Sequence, residues 1–94
     1  MVKIIIYGSD MCGYTRKALE ILKENKIEHK FNNDYFPDKF NNKYNTEYKT
    51  IPIIFVQYNK NEVKTNKYIG GCSELINKID KIKKFIKNHS SIKS

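Results

Sequence analysis

The sequence predicts an α/β domain of order β-α-β-α-β-β-α: one four-stranded mixed sheet with helices on both faces. Three observations carry this. The β-branched run at 2–7 and the apolar run at 52–57 read as buried strands. Residues 14–26 and 73–88 repeat apolar positions at helical spacing. Strand, helix and strand within about 30 residues at the start form a βαβ unit, whose two strands run parallel with a right-handed crossover. With 94 residues the chain holds one small domain, expected over 1–89, with 90–94 as a tail.

Taken in order, Val2 to Tyr7 is nearly continuous in Ile and Val and stops at Gly8-Ser9-Asp10. In the next segment Tyr14, Ala18, Ile21, Leu22 and Asn25 line one side of a helix, and Lys17, Glu20, Lys23 and Glu24 fill the other. Ile27 to Phe31 is a second strand, closed by a turn at Asn32-Asn33-Asp34. Pro37-Asp38 opens a helix, with Pro at its first position and an acid in its first turn, and Phe36, Phe40 and Tyr44 recur at spacing four. Pro52 to Gln57 and Glu62 to Ile69 form a hairpin turning at Asn59-Lys60-Asn61. Gly70-Gly71 breaks the chain. A last helix follows from Ser73 to Asn88, with Leu75, Ile76, Ile79, Ile82, Phe85 and Ile86 on its apolar face.

Composition narrows the chemistry. The net charge is +8, from 18 Lys+Arg against 10 Asp+Glu. Lys, Asn, Ile and Tyr together fill about half the chain, and all four have A/T-rich codons, so base composition accounts for much of the basicity. The lysines are scattered rather than interleaved with aromatics on one face, so a nucleic-acid surface is not expected. The charge does favour encounter with small anions. No apolar run approaches the roughly 18 residues of a membrane span, and Met1-Val2-Lys3 leads straight into a strand, so neither membrane nor signal peptide is expected. The expected setting is cytoplasmic and reducing, where the two cysteines are thiols rather than a bridge. His29 and His89 give no metal-ligand spacing with them.

Three places carry chemistry. Cys12-Gly13-Tyr14-Thr15 lies between the first strand and the first helix. A cysteine just ahead of a helix meets free N–H groups and the positive end of the dipole, and both favour the thiolate, the nucleophile of disulfide exchange. Thr50-Ile51-Pro52 opens the third strand, where an X-Pro bond is able to be cis. Gly70-Gly71-Cys72-Ser73 lets the backbone turn sharply and leads into a helix whose N–H groups suit an anion.

The three together resemble the glutaredoxin family. The residues that carry the resemblance are Ile6 to Thr15, Thr50 to Val56 and Tyr68 to Leu75, in the same order over nearly the whole chain. The resemblance implies a thioredoxin fold and a glutathione-dependent thiol–disulfide oxidoreductase. It makes Cys12 the catalytic nucleophile. It assigns glutathione binding to Tyr14 beside the ligand, Lys49 at the glycyl carboxylate, Ile51 against the cysteinyl part in a pairing held by cis-Pro52, and Cys72 and Ser73 at the γ-glutamyl carboxylate, with Thr50 and Gly71 also in the binding set. A basic residue at one end and a helix N-terminus at the other fit the two anionic ends of the tripeptide.

Two departures shape the mechanism. The family's usual dithiol motif is Cys-Pro-Tyr-Cys, and here Gly13 and Thr15 replace the proline and second cysteine. Cys12 alone supports a monothiol, deglutathionylating route, with Cys72 left open as a resolving thiol. Ser9 stands where the family often has Lys or Arg, and the 57–67 hairpin is longer than usual. The partners implied are glutathione and glutathionylated or disulfide-containing proteins, met as a monomer. The alternative implied by monothiol relatives is a carrier of a glutathione-ligated [2Fe-2S] cluster, with Cys12 of two chains as ligands in a dimer. Against it, the chain has no Trp, whereas that class carries a Trp-Pro pair.

Overall fold

A computed structural model describes residues 2–91. It contains β1 (Lys3–Tyr7), α1 (Gly13–Glu24), β2 (His29–Asn32), α2 (Pro37–Tyr44), β3 (Ile53–Lys60), β4 (Val63–Gly70) and α3 (Cys72–Ser91). The element order is the one expected. The four strands form one sheet in the order β2-β1-β3-β4. β1 runs parallel to β2 and antiparallel to β3, and β3 pairs antiparallel with β4.

β1 is central, which explains its unbroken apolar run: Ile4, Ile5 and Ile6 are all buried. Ile4 and Ile6 point to one face, where α1 and α3 cover them. Ala18 and Leu22 of α1 and Leu75 and Ile82 of α3 close that core over Ile54, Val56 and Ile69. Leu22 is fully buried there, and Leu22→Ala is expected to cost about 3 kcal/mol. The opposite face is aromatic. Tyr7 of β1 meets Phe40 of α2 edge-on at 4.8 Å and Phe55 of β3 at 6.1 Å, and Phe40 and Tyr44 lie 4.6 Å apart. α2 thus covers the second face of the sheet, largely through Phe40, its one fully buried side chain.

The element ends differ from expectation for physical reasons. α1 stops at Glu24 instead of 26, because Lys26 takes a left-handed φ of 55°. The N–H of Ile27 then returns to the carbonyl of Leu22 at 3.0 Å, and Ile27 is buried behind the cap. The hairpin turns at Asn61-Glu62, not at 59–61. Both have positive φ, 51° and 68°, as a two-residue turn between Lys60 and Val63 requires. β3 starts at Ile53, one residue later than expected, since Pro52 has no N–H for the ladder. The buried side of α1 is Thr15, Ala18 and Leu22, while Tyr14 points outward. α3 continues through Ser91, into the stretch expected as a tail, and 92–94 lie outside the described residues.

Candidate active site

The loop from β1 to α1 is tied down on both sides. The Gly8 N–H donates to the Asn32 carbonyl at 3.2 Å, and the Gly8 carbonyl accepts from the Tyr35 N–H at 2.8 Å. Asp10 N–H donates to Asn33 Oδ1 at 3.0 Å, and Arg16 Nη1 donates to the Asp10 carbonyl at 2.8 Å. Ser9 is buried; its carbonyl accepts from the Cys12 N–H at 3.0 Å and its Oγ from the Met11 N–H at 3.1 Å. Ser9 therefore braces the loop through uncharged hydrogen bonds, and the charge beside the motif comes from Arg16 instead.

These contacts set Cys12 in the N-cap position of α1, with extended φ and ψ and its carbonyl accepting from the Arg16 N–H at 3.0 Å. Its thiol is partly exposed and makes no capping hydrogen bond. Partial burial pushes the thiol up. The N–H and hydroxyl of Thr15, the Tyr14 N–H and the Arg16 charge outweigh that, so its pKa lies below the ordinary thiol value.

Thr15 lies directly beneath. It is fully buried, and its Oγ1 has no hydrogen-bond partner. Gly8 makes room for it: a Cβ on Gly8 would stand 2.6 Å from Thr15 Oγ1 and 2.9 Å from its methyl carbon.

The second wall comes from the turn into α3. Gly70 has φ +134°, and a Cβ there would fall 2.6 Å from the Glu74 Cβ. Glu74 Oε1 accepts the Gly71 N–H at 2.7 Å, an acid in the first turn closing the start of the helix, while the Leu75 N–H begins the helical ladder on the Gly71 carbonyl at 3.0 Å. A Cβ on Gly71 would lie 3.6 Å from the Pro52 carbonyl oxygen, so this turn sits against the segment entering β3. The Ile51–Pro52 bond is cis.

Cys12, Pro52, Gly71, Cys72 and Ser73 therefore gather at one end of the sheet. Cys72 is near enough to feel the charge of both Cys12 and Lys17. Its side chain, 6% exposed, joins the core, and burial first, then Cys12 and Glu74, raise its pKa against the pull of Lys17. Tyr14 is 67% exposed; Lys49 and Thr50 are exposed and Ile51 half-buried. Among the described residues no three His, Cys, Asp or Glu side chains converge as metal ligands, and no helix is long and apolar enough to cross a membrane. The sequence reading missed Gly8, Thr15 and Glu74. For Glu74 a signal existed, an acid three residues after the helix-breaking glycine.

No family model matches the chain, and no curated protein matches it in sequence. Among solved structures, the chain is similar to glutaredoxin 1 from Francisella tularensis, in its complex with cacodylate. The two share 28% identity and superpose with a TM-score of 0.58, over 87% of this chain and 96% of that one. The match covers most of both chains, and the four-stranded mixed sheet with its three helices is the thioredoxin fold of that glutaredoxin. That likeness supports the resemblance to the glutaredoxin family read from the sequence.

Proposed function

We propose that the protein is a glutathione-dependent thiol–disulfide oxidoreductase working by a monothiol route through Cys12. The observation that carries this reading is the partly exposed Cys12 thiol at the N-cap of α1, acidified by the donors around it and near enough to the start of α3 for Cys72 to feel its charge. The Cys12 thiolate attacks the glutathionyl sulfur of a mixed disulfide, and the target leaves as its thiolate. Cys12 is then itself disulfide-bonded to glutathione. The thiolate of a second glutathione attacks that glutathionyl sulfur, giving oxidised glutathione and the free Cys12 thiolate.

Binding follows from charge. The first-turn N–H groups of Cys72 and Ser73 suit the γ-glutamyl carboxylate. The Glu74 carboxylate beside them suits that residue's ammonium. Ile51 and Thr50, held by Pro52, offer main-chain groups to the cysteinyl part, Lys49 a cation to the glycyl carboxylate and Tyr14 a ring to its flank. A cluster would find one partly exposed thiol per chain, Cys12, and no feature of the site favours that role over exchange.

The test is reduction of a small glutathione mixed disulfide by glutathione, coupled to a recycling reductase. Wild type is expected to turn over and Cys12→Ser to be silent; equal activity in the two would overturn the reading. Anaerobic reconstitution with iron and sulfide is expected to leave a colourless monomer, and visible absorption with dimerisation would favour the cluster carrier.

A further inference from the structure

We propose that the groove between α3 and the β3–β4 hairpin is a second binding site, for a small hydrophobic carboxylate whose apolar body lies on the groove floor and whose charge is met by Lys67, Lys78 and Lys81. None of these residues takes part in the thiol chemistry of Cys12.

The groove encloses about 340 Å³, at the small end of the range that ligand pockets span. Its floor is core: Val56, Ile69 and Ile82 are buried. Beside them Tyr58 and Phe85 are half-buried and meet edge-on, their ring centroids 5.1 Å apart. Two features of the chain shape it. The long hairpin carries Tyr58 and Lys67 out beside α3. The register of β4 on β3 also shifts between Ile54 and Phe55, which leaves Ile69 without a partner residue. An extra residue of this kind bends and twists an edge strand.

Both walls of the groove carry cations. Lys67 stands on β4, and Lys78 and Lys81 share a side of α3 with Ile82 and Phe85 at helical spacing. All three lysines are exposed, and no Asp or Glu lines the groove. Among the described residues none of the three is in an ion pair. Lys78 Nζ donates to the Ile69 carbonyl at 3.3 Å, which holds one ammonium against the groove. Lysine stems commonly cover apolar surface, yet here Tyr58 and Phe85 stay partly exposed. An apolar floor gives a sugar or a polyphosphate too few polar partners, and a hydrophobic cation would meet like charge. Unopposed cations over an apolar floor suit a molecule with an apolar body and one anionic end.

The test is titration of the reduced, isotope-labelled full chain with naphthoate, followed by amide NMR shifts, beside the neutral analogue naphthylmethanol. Naphthoate is expected to move the amides of 56–58, 67–69 and 78–85 and to bind about tenfold more tightly than the alcohol. Combining Lys67→Gln, Lys78→Gln and Lys81→Gln should bring naphthoate down to the affinity of the alcohol. The same variant should leave alcohol binding and turnover of the glutathione mixed disulfide unchanged. If it does not fold, salt decides on the wild type: raising it from about 0.05 M to about 0.5 M should weaken naphthoate several-fold and spare the alcohol. Absent shifts, shifts centred on the start of α1, equal affinity for the two ligands, or naphthoate binding indifferent to the lysines or to salt would each overturn the proposal. Cys12→Ser should bind naphthoate as wild type does, so failure of exchange activity and failure of this site are read separately.

Discussion

Cys12 and Cys72 stand at the starts of α1 and α3, and a helix dipole acts on both, yet their thiols are shifted in opposite directions. At Cys12 the side chain remains in reach of solvent, and although burial is the largest single influence, the surrounding donors and the Arg16 charge together outweigh it. At Cys72 the side chain is folded into the core and burial leads. A helix N-terminus therefore makes a reactive cysteine only when the sulfur stays outside the apolar interior. Two helix starts thus leave one thiol acidified and in reach of solvent and fold the other into the core.

The largest expected difference is in exchange activity. Cys12→Ser should lose roughly a thousandfold or more, whereas Cys72→Ser should retain turnover of the small mixed disulfide. Comparable losses in both would make Cys72 a resolving thiol and erase the contrast.

Alkylation of the native protein should separate the two thiols next. At pH 7, labelled peptides should show Cys12 reacting on the order of a hundredfold faster than Cys72, which needs local opening to be reached. The pH dependence of stability should also differ in sign. Cys12, lowered in the fold, favours folding at pH above the ordinary thiol value and loses that contribution as pH falls through its own pKa. Cys72, raised in the fold, contributes below the ordinary thiol value and loses it as pH rises through its own pKa. Urea unfolding of each Cys→Ser variant at pH 7 and pH 10 reads both directions.

The glycines at the two helix starts should part company as well. Gly70→Ala brings a Cβ against Glu74 at a positive φ and is expected to cost about 2–3 kcal/mol in urea unfolding. Glu74→Gln, which weakens the acceptor for the Gly71 N–H, should cost about 1 kcal/mol. Gly13→Ala faces open space, with Arg16 Nη2 nearest at 3.9 Å, and should gain about 0.5 kcal/mol.

The sheet order was legible because its causes are local and repeated. Three successive isoleucines mark a strand buried on both faces, and Leu75, Ile79 and Ile82 mark a helix facing it. The boundaries were less legible where residues without turn character take left-handed backbone: neither Lys26 nor Glu62 announces its φ. The approach of Cys12 to the Pro52 and Gly71 segments was readable only through the family resemblance, since no local pattern places distant loops together. Thr15 was hidden by its polarity. Counting apolar letters puts Tyr14 on the inner stripe, but a tyrosine ring reaches water easily and a small threonine fits against Gly8.

The contact between Gly8 and Thr15 also fixes an order in which this site is able to change. With glycine at 8, Thr15→Cys trades one small side chain for another and lays a second thiol next to the first, so a single substitution opens two-thiol chemistry. With alanine at 8 first, the incoming methyl would displace whatever stands at 15, and the same second step would land on a distorted turn. The glycine, through its contact with Thr15, decides which neighbouring chemistries the protein is able to reach.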